Sequence, residues 1–396
     1  MSTQPGNVVV RVAARGDGMT ADGRHAALAA PGDTLADDGT VIPGPHHQTP
    51  PCRHFPTCGG CQLQHLDDAS YAAFVTDRIA VALDAQGLSA PIRPPLISPP
   101  DTRRRATLHA EGKGKVSLGF TEESSHAIVD IAECHVLAPE LFALIAPLRK
   151  LLAQLGLKRR ADVHLTLADQ GVDILITRIA AEGLKAADAI VDFCQRHGVA
   201  RFAVDDGLGP ETRWEPEPVT ITLGGLPVPL PHAAFLQATT EGEAALVAAV
   251  LAAVGGPATT ADLFSGLGTF ALALPGKVYA AEGARDAGMA LQAAAHRVQR
   301  PVFVEHRDLY RRPLTVAELD RFGAIVLDPP RAGAREQTDA LAACHAPVIA
   351  YVSCNPSSFA RDAKIMCDGG WRIDWIQPVG QFRWSTHVEL AARFSR

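Results

Sequence analysis

Three patterns of apolar and polar residues succeed one another along the chain. The first fifty residues are rich in Gly, Asp and Pro and hold one clear apolar run, "NVVVRVAA" at residues 7–14, followed by short β-like pieces. That pattern predicts a small β module over 1–50. Residues 51–230 mix two periods. A helical spacing runs near Ser70 to Gln86 and again near Pro139 to Gln154. Strand-like alternation marks Arg104 to Phe120, Ile128 to Ile131, "DVHLTLA" and "VDILITRI". The mixture predicts an α+β domain. After Pro231 the order becomes strand, glycine loop, helix, strand, repeated, which predicts a doubly wound α/β domain over 231–396.

Length and composition agree with two or three domains: 396 residues, 47% hydrophobic and 20% charged, enough for a sizeable core. The 37 basic and 43 acidic residues leave a formal charge of −6, so the chain as a whole does not advertise nucleic-acid binding. The charge is uneven, however. Arg93 to Lys115 carries six Lys or Arg against Asp101 and Glu111, with Arg103, Arg104 and Arg105 in succession. A solvated strand face and a phosphate-contacting patch both explain such a run. The N-terminus lacks a basic-then-apolar export pattern, and the longest apolar run, Ala244 to Val254, is about half the ~20 residues of a membrane span. A soluble, cytoplasmic protein is expected.

That compartment disfavours disulfides. "PCRHFPTCGGCQLQHL" nevertheless gathers Cys52, Cys58 and Cys61 around a Gly-Gly turn in a chain with eight cysteines. Cys134, expected at the end of the strand over Ile128 to Ile131, is the fourth thiol chosen. Zinc fingers usually pair two short Cys or His motifs, and no second C-x2-C pair occurs, although His54, His65 and His135 keep a Cys3His zinc site open. An iron-sulfur cluster and unligated structural thiols are the other readings.

The last third concentrates its chemistry at strand ends. "TTADLFSGLGTFALAL" reads as a strand, then Gly266 and Gly268, then a helix; the next strand, "KVYAAEG", ends in Glu282. Glycines admit a ligand to the backbone and an acid on the second strand takes a ribose hydroxyl, so a nucleoside cofactor is expected. Two later strands end in Asp328-Pro329-Pro330-Arg331 and Ser353-Cys354-Asn355-Pro356. Ligands in such sheets sit beyond the carboxyl ends of the strands, which places Gly266, Glu282, Asp328 and Cys354 on one crevice. A lone cysteine on an apolar strand is usually core; one at the strand end, beside polar residues and a proline, reads as a nucleophile.

With these motifs in order, the chain resembles the bacterial RNA (uracil-C5) methyltransferases, specifically the iron-sulfur members that act on 23S ribosomal RNA. The resemblance runs from about Cys52 to the C-terminus. It implies a [4Fe-4S] cluster on Cys52, Cys58, Cys61 and Cys134. It also implies an S-adenosylmethionine crevice formed by Gln237 of "FLQAT", Phe264 and Thr269 of "DLFSGLGTF", Glu282, Asp308 of "VEHRDLY" and Asp328 of "DPPRAGA". "VSCNP" is similar to the nucleophile motif at Cys354, and "THVEL" to the segment whose acid, Glu389, is the base. The implied architecture is a Rossmann-like methyltransferase domain, a central α+β iron-sulfur domain and a shortened N-terminal OB-like (TRAM-like) β module. Ser265 stands where many members have cysteine.

The implied chemistry accounts for the residue types. Carbon 5 of uracil is a poor nucleophile until the Cys354 thiolate adds to carbon 6 and turns the ring into an enolate. Glu389 then removes the carbon 5 proton and Cys354 leaves. A base inside a duplex is out of reach, so the target uridine lies in a loop or is flipped out. Arg103, Arg104, Arg105, Lys113 and Lys115 are the expected phosphate contacts. The expected partner is RNA, most directly 23S rRNA, with no DNA or membrane partner and a monomeric chain. Transfer-RNA uridine methylation and a non-catalytic RNA-binding iron-sulfur protein are the alternatives. DNA cytosine-C5 methylation is disfavoured because its cysteine resembles a Pro-Cys pair after the fourth strand, where this chain has Asp-Pro-Pro-Arg.

Overall fold

The structure is a computed structural model that describes residues 5–112 and 115–396. At the N-terminus, strands Val9–Val12, Gly18–Thr20 and His25–Ala26 form a three-stranded antiparallel sheet, and Thr34–Leu35 pairs with Val41–Ile42. A single bridge, Val8 to Thr34, joins the two sheets. Five short strands are thus present, and among the described residues they form two small sheets, where a shortened OB-like (TRAM-like) β module was expected. Their core is only Val9, Ala26, Ala29 and Leu35, too little apolar surface to stand without neighbours.

The central unit is a six-stranded sheet in the order Glu211–Trp214, Val199–Asp205, Gly171–Thr177, Ala161–Ala168, Arg105–Glu111, Ser117–Gly119. One pair, Gly171–Thr177 with Val199–Asp205, is parallel, and helix Leu184–His197 makes the crossover it requires. The helix expected over Pro139 to Gln154 is two, Pro139–Ala143 and Ile145–Gln154. Pro147 explains the break: it has no N–H to return to the Ala143 carbonyl. The segment expected as a strand over Ile128 to Ile131 forms no regular strand, only an isolated bridge from Ile128 to Thr121 and backbone bonds from Val129 N and Ile131 N to the Phe120 and Leu118 carbonyls. Side chains add to this pairing: Arg149 donates to the carbonyls of Leu118 and Ile131, and Asp130 accepts from Leu118 N.

The C-terminal sheet has eight strands in the order Val302–His306, Lys277–Glu282, Thr259–Leu263, Ala324–Leu327, Val348–Ser353, Glu389–Ser395, Arg372–Gly380, Leu96–Ile97. The first five run parallel, and Glu389–Ser395 is antiparallel to both its neighbours. Ala324–Leu327 and Val348–Ser353 are buried at every position, because apolar cores cover both faces of the sheet. Strand order reverses between Thr259–Leu263 and Ala324–Leu327, which opens a crevice at their carboxyl ends.

Two pieces expected in the central domain are built into this unit instead. Helix Asp68–Asp84, capped by the Asp67 side chain accepting from Ser70 N at 2.8 Å, packs on helix Pro356–Asp368, and Leu96–Ile97 adds the edge strand beside Arg372–Gly380. The apolar face of Tyr71, Phe74, Val75 and Ile79 finds its partner there. The helix expected after Gly268 is a run of turns with mixed three- and four-residue bonds, stopped by Pro275. No helix among the described residues is long and apolar enough to cross a membrane.

Candidate active site

The crevice at the switch point is a cleft of about 770 Å³, within the usual range for ligand sites. Gln237, Phe264, Thr269, Glu282, Asp328, Cys354 and Glu389 all line it. Its floor begins where Thr259–Leu263 ends: Phe264 takes φ 63°, a left-handed conformation unusual for an aromatic residue. The strain is offset by Phe264 N and Ser265 N both donating to the Ala281 carbonyl, at 3.0 and 3.2 Å. Gly268 is required here, since a Cβ would lie 2.4 Å from Leu291 Cδ1 of the flanking helix. Glu282 closes the loop from the neighbouring strand, accepting from Gly266 N at 2.7 Å and Ala284 N at 2.6 Å. Cys354 follows strand Val348–Ser353 directly, and Asn355 caps helix Pro356–Asp368 behind it. Glu389 is the first residue of the antiparallel strand beside it.

Three carboxyls crowd this end of the sheet, and burial dominates all of them. Burial pushes Asp328 up to about 7, and burial with the Asp328 charge pushes Glu389 up to about 8. Asp262, wholly buried beneath them with neither oxygen partnered, lies well above the carboxylate range through burial and then Asp328. Burial, then Glu389 and Asp328, pushes the Cys354 thiol up to about 11. At neutral pH the Cys354 thiol and the Glu389 carboxyl therefore favour their protonated forms, and a cationic ligand would shift both toward the charged form.

A family model described as tRNA (Uracil-5-)-methyltransferase matches residues 302–396. The chain is 51% identical to an RNA methyltransferase of Zymomonas mobilis over 98% of its own length and 99% of the relative's. It is 30% identical to the 23S rRNA (uracil(1939)-C(5))-methyltransferase RlmD of Pectobacterium atrosepticum, over 89% of this chain and 81% of that one. This chain belongs to the RNA uracil-C5 methyltransferase family. It is an S-adenosylmethionine-dependent enzyme. In fold it is similar to the tRNA (uracil-54, C5)-methyltransferase of Pyrococcus abyssi, crystallised with S-adenosyl-L-homocysteine: TM-score 0.77, 23% identity, covering 99% of this chain and 100% of that one.

A second constellation of the methyltransferase lies at the junction of its units. Cys52, Cys58, Cys61 and Cys134 line one small cavity with Phe55, Phe120, Ile131 and Val136. The sulfurs face backbone donors: His54 and Phe55 toward Cys52, Gly60 toward Cys58, Val136 and Leu137 toward Cys134. Gly59 is needed for the loop to dock, because a Cβ there would stand 2.9 Å from the Thr121 carbonyl. Among the described residues no three His, Cys, Asp or Glu side chains converge as they do around a single metal ion. Cys134 lies in an irregular segment, and the strand end expected for it is not formed.

The basic run divides. Arg104 is buried, donating to the Gln237 carbonyl at 3.1 Å and pairing with Glu243 at 2.5 Å, so it is no phosphate contact. Arg103 and Arg105 lie over the rings of Phe382 and Phe235, at 5.6 and 4.5 Å. Burial, then Arg103, lowers Arg105 to about 10, against the pull of the nearby Glu389 charge. Lys115 is exposed, and Lys113 lies outside the described residues. Asp308 is exposed beside Gly283, accepts from Tyr310 N at 3.0 Å, and is not part of the cleft lining. Sequence reasoning missed Phe235 and the Pro231 to Ala234 wall of the cleft. It also missed Gln381, which no local motif marks.

Proposed function

We propose that this enzyme methylates carbon 5 of a uridine in 23S ribosomal RNA, with Cys354 as nucleophile and Glu389 as base. The observation that carries the reading is that Cys354 and Glu389, thirty-five residues apart in sequence, share one cleft with all but one of the expected cofactor contacts. S-adenosylmethionine, held by Gln237, Phe264, Thr269, Glu282 and Asp328, would supply an electrophilic methyl group and a positive charge. The Glu282 carboxylate, already fixed by two backbone N–H groups, is oriented to accept from a ribose hydroxyl.

The chain's own groups then act in order. Cys354 Sγ releases its proton to solvent and bonds to carbon 6, and the ring electrons move onto the carbonyl oxygen at carbon 4, so that carbon 5 can accept a methyl group. Glu389 takes the proton from carbon 5, the ring double bond returns, and the bond from Sγ to carbon 6 breaks. Burial, and then the neighbouring carboxylates, raise the thiol, so the positive charge of the bound cofactor would favour thiolate formation.

Cys52, Cys58, Cys61 and Cys134 line one cavity, and the backbone donors facing Cys52, Cys58 and Cys134 would suit the sulfurs of an all-thiolate [4Fe-4S] cluster. Bound there, such a cluster would tie the 52–61 loop to Cys134. Ribosomal RNA is favoured over transfer RNA by the likeness to RlmD together with this cysteine set. Of the expected phosphate contacts, Arg103, Arg105 and Lys115 remain candidates, and Arg285 and Arg331 line the cleft itself. Mapping 5-methyluridine in ribosomal and transfer RNA from cells lacking the enzyme tests the reading: a 23S site should lose its methyl group, and loss only in transfer RNA would replace the substrate.

A further inference from the structure

Gln381 sits just beyond strand Arg372–Gly380, buried, and outside the cleft lining. Its surroundings leave one orientation for its amide. The backbone N–H of Ala238 can only donate, and it donates to Gln381 Oε1 at 2.7 Å. Gln381 Nε2 must therefore face the other way, where it donates to Gln237 Oε1 at 2.6 Å. That in turn leaves Gln237 Nε2 pointing at Asp328 Oδ2, at 3.3 Å. Gly242 makes room for this side chain: a Cβ there would stand 2.6 Å from Gln381 Cβ.

We propose that Gln381 is a positioning residue for the methylation reaction: its amide sets which face Gln237 shows to Asp328. An amide can rotate half a turn at almost no steric expense, so Gln237 has no intrinsic preference between presenting its N–H or its oxygen. Only the fixed donor Ala238 N, relayed through Gln381, breaks the tie. With the relay intact, Asp328 meets a donor; with it reversed, Asp328 meets an oxygen and must be protonated to hydrogen-bond at all. The inference rests on the reading of Glu389 as the base and Gln237 and Asp328 as ligand-facing groups.

Two substitutions separate this role from simple packing. Gln381→Glu keeps the shape and the acceptor for Ala238 N but removes the donor, forcing Gln237 to turn its N–H toward residue 381 and its oxygen toward Asp328. Gln381→Met fills similar space and leaves Gln237 free to choose. The relay therefore orders kcat as wild type, then Met about ten-fold lower, then Glu about a hundred-fold lower at pH 8. The Glu deficit should grow as pH rises, because a protonated glutamic acid regains a donor, while the Met deficit should not vary with pH. If residue 381 only packs, the isosteric Glu variant would match or exceed Met, and that result overturns the proposal.

Side-chain amide NMR of the RNA-free protein supplies a readout that does not depend on methylation. One Nε2 proton of Gln381 should exchange slowly in the wild type, and the Gln237 amide signals should move in Gln381→Met. Unchanged Gln237 signals would equally overturn the relay. Protected amides in a wild-type protein that modifies no uridine would support the relay and refute the methylation reading alone.

Discussion

Replacing Glu389 with Gln should make the enzyme nearly inactive and, above neutral pH, more stable. Glu389 is 3% exposed, and burial followed by the Asp328 charge raises it to about 8. A carboxyl group in the unfolded chain ionises near pH ~4.3, so the folded state holds the extra proton between about pH 4 and 8. In that window the folded chain binds more protons than the unfolded one, and stability falls as pH rises. Above the folded value the loss is complete. The full difference corresponds to several kcal/mol, reduced by compactness of the unfolded state and by coupling to Asp328, so a gain on the order of 2 kcal/mol at pH 9 is expected for the uncharged Gln. At pH 5, near the foot of that window, the gain should shrink to about a fifth of its value at pH 9.

Catalysis moves the other way. Only about one tenth of Glu389 is ionised at pH 7, so its ionisation should contribute about a ten-fold rise in kcat/KM of the wild type toward pH 9, on top of the rise from the Cys354 thiol. Losing a positioned base lowers turnover by ~10² or more, and because addition and methyl transfer precede the missing step, ordinary RNA should stay joined to the protein through Cys354. Melting curves at pH 5 and 9, a pH–rate profile and denaturing gels with labelled RNA measure these outcomes. A Glu389→Gln protein that is less stable at pH 9, accumulates no adduct and keeps the wild-type pH profile would refute the assignment of Glu389 as a buried base.

Cys354→Ala should form no adduct with RNA carrying 5-fluorouridine at the target, whereas the wild type should stall as a methylated adduct; mass spectrometry placing the link at Cys344 or Cys367 would mean the wrong thiol was chosen. Protein purified without oxygen should be brown, and Cys61→Ser should lose most of its iron and lower the melting temperature, because cluster binding contributes to folding; stoichiometric zinc without iron contradicts this. Arg104→Ala should destabilise the fold by about 3 kcal/mol, since it leaves Glu243 buried without its partner, and should leave the salt dependence of RNA binding unchanged.

Much of the cleft was legible because its residues stand at fixed places in a repeating unit. Strand ends carry Phe264, Glu282, Asp328 and Cys354, and the α/β order alone tells that these ends share an edge. Domain boundaries were less legible. Helix Asp68–Asp84 has an apolar face that declares burial but not against what, and its partner helix begins 272 residues later, at Pro356. Gln381 was not legible at all: its role depends on a donor at Ala238 and an amide at Gln237 that reach it only through the folded chain.

The arginine triplet shows a different kind of miss, one that the sequence could have corrected. Arg103, Arg104 and Arg105 were grouped because they are adjacent, as if adjacency meant a shared surface. They lead into a strand, Arg105–Glu111, whose burial alternates residue by residue. In an extended chain neighbours point to opposite sides, so three consecutive arginines cannot face one phosphate track. Arg103 and Arg105 turn to the side of Phe382, Phe235 and Glu389, and Arg104 is driven inward, where only a buried carboxylate such as Glu243 makes its charge tolerable. An acid at helix Thr240–Val254 is therefore the counterpart that the triplet demands, and a basic run read with the period of its own strand predicts an ion pair between units as well as a surface for RNA.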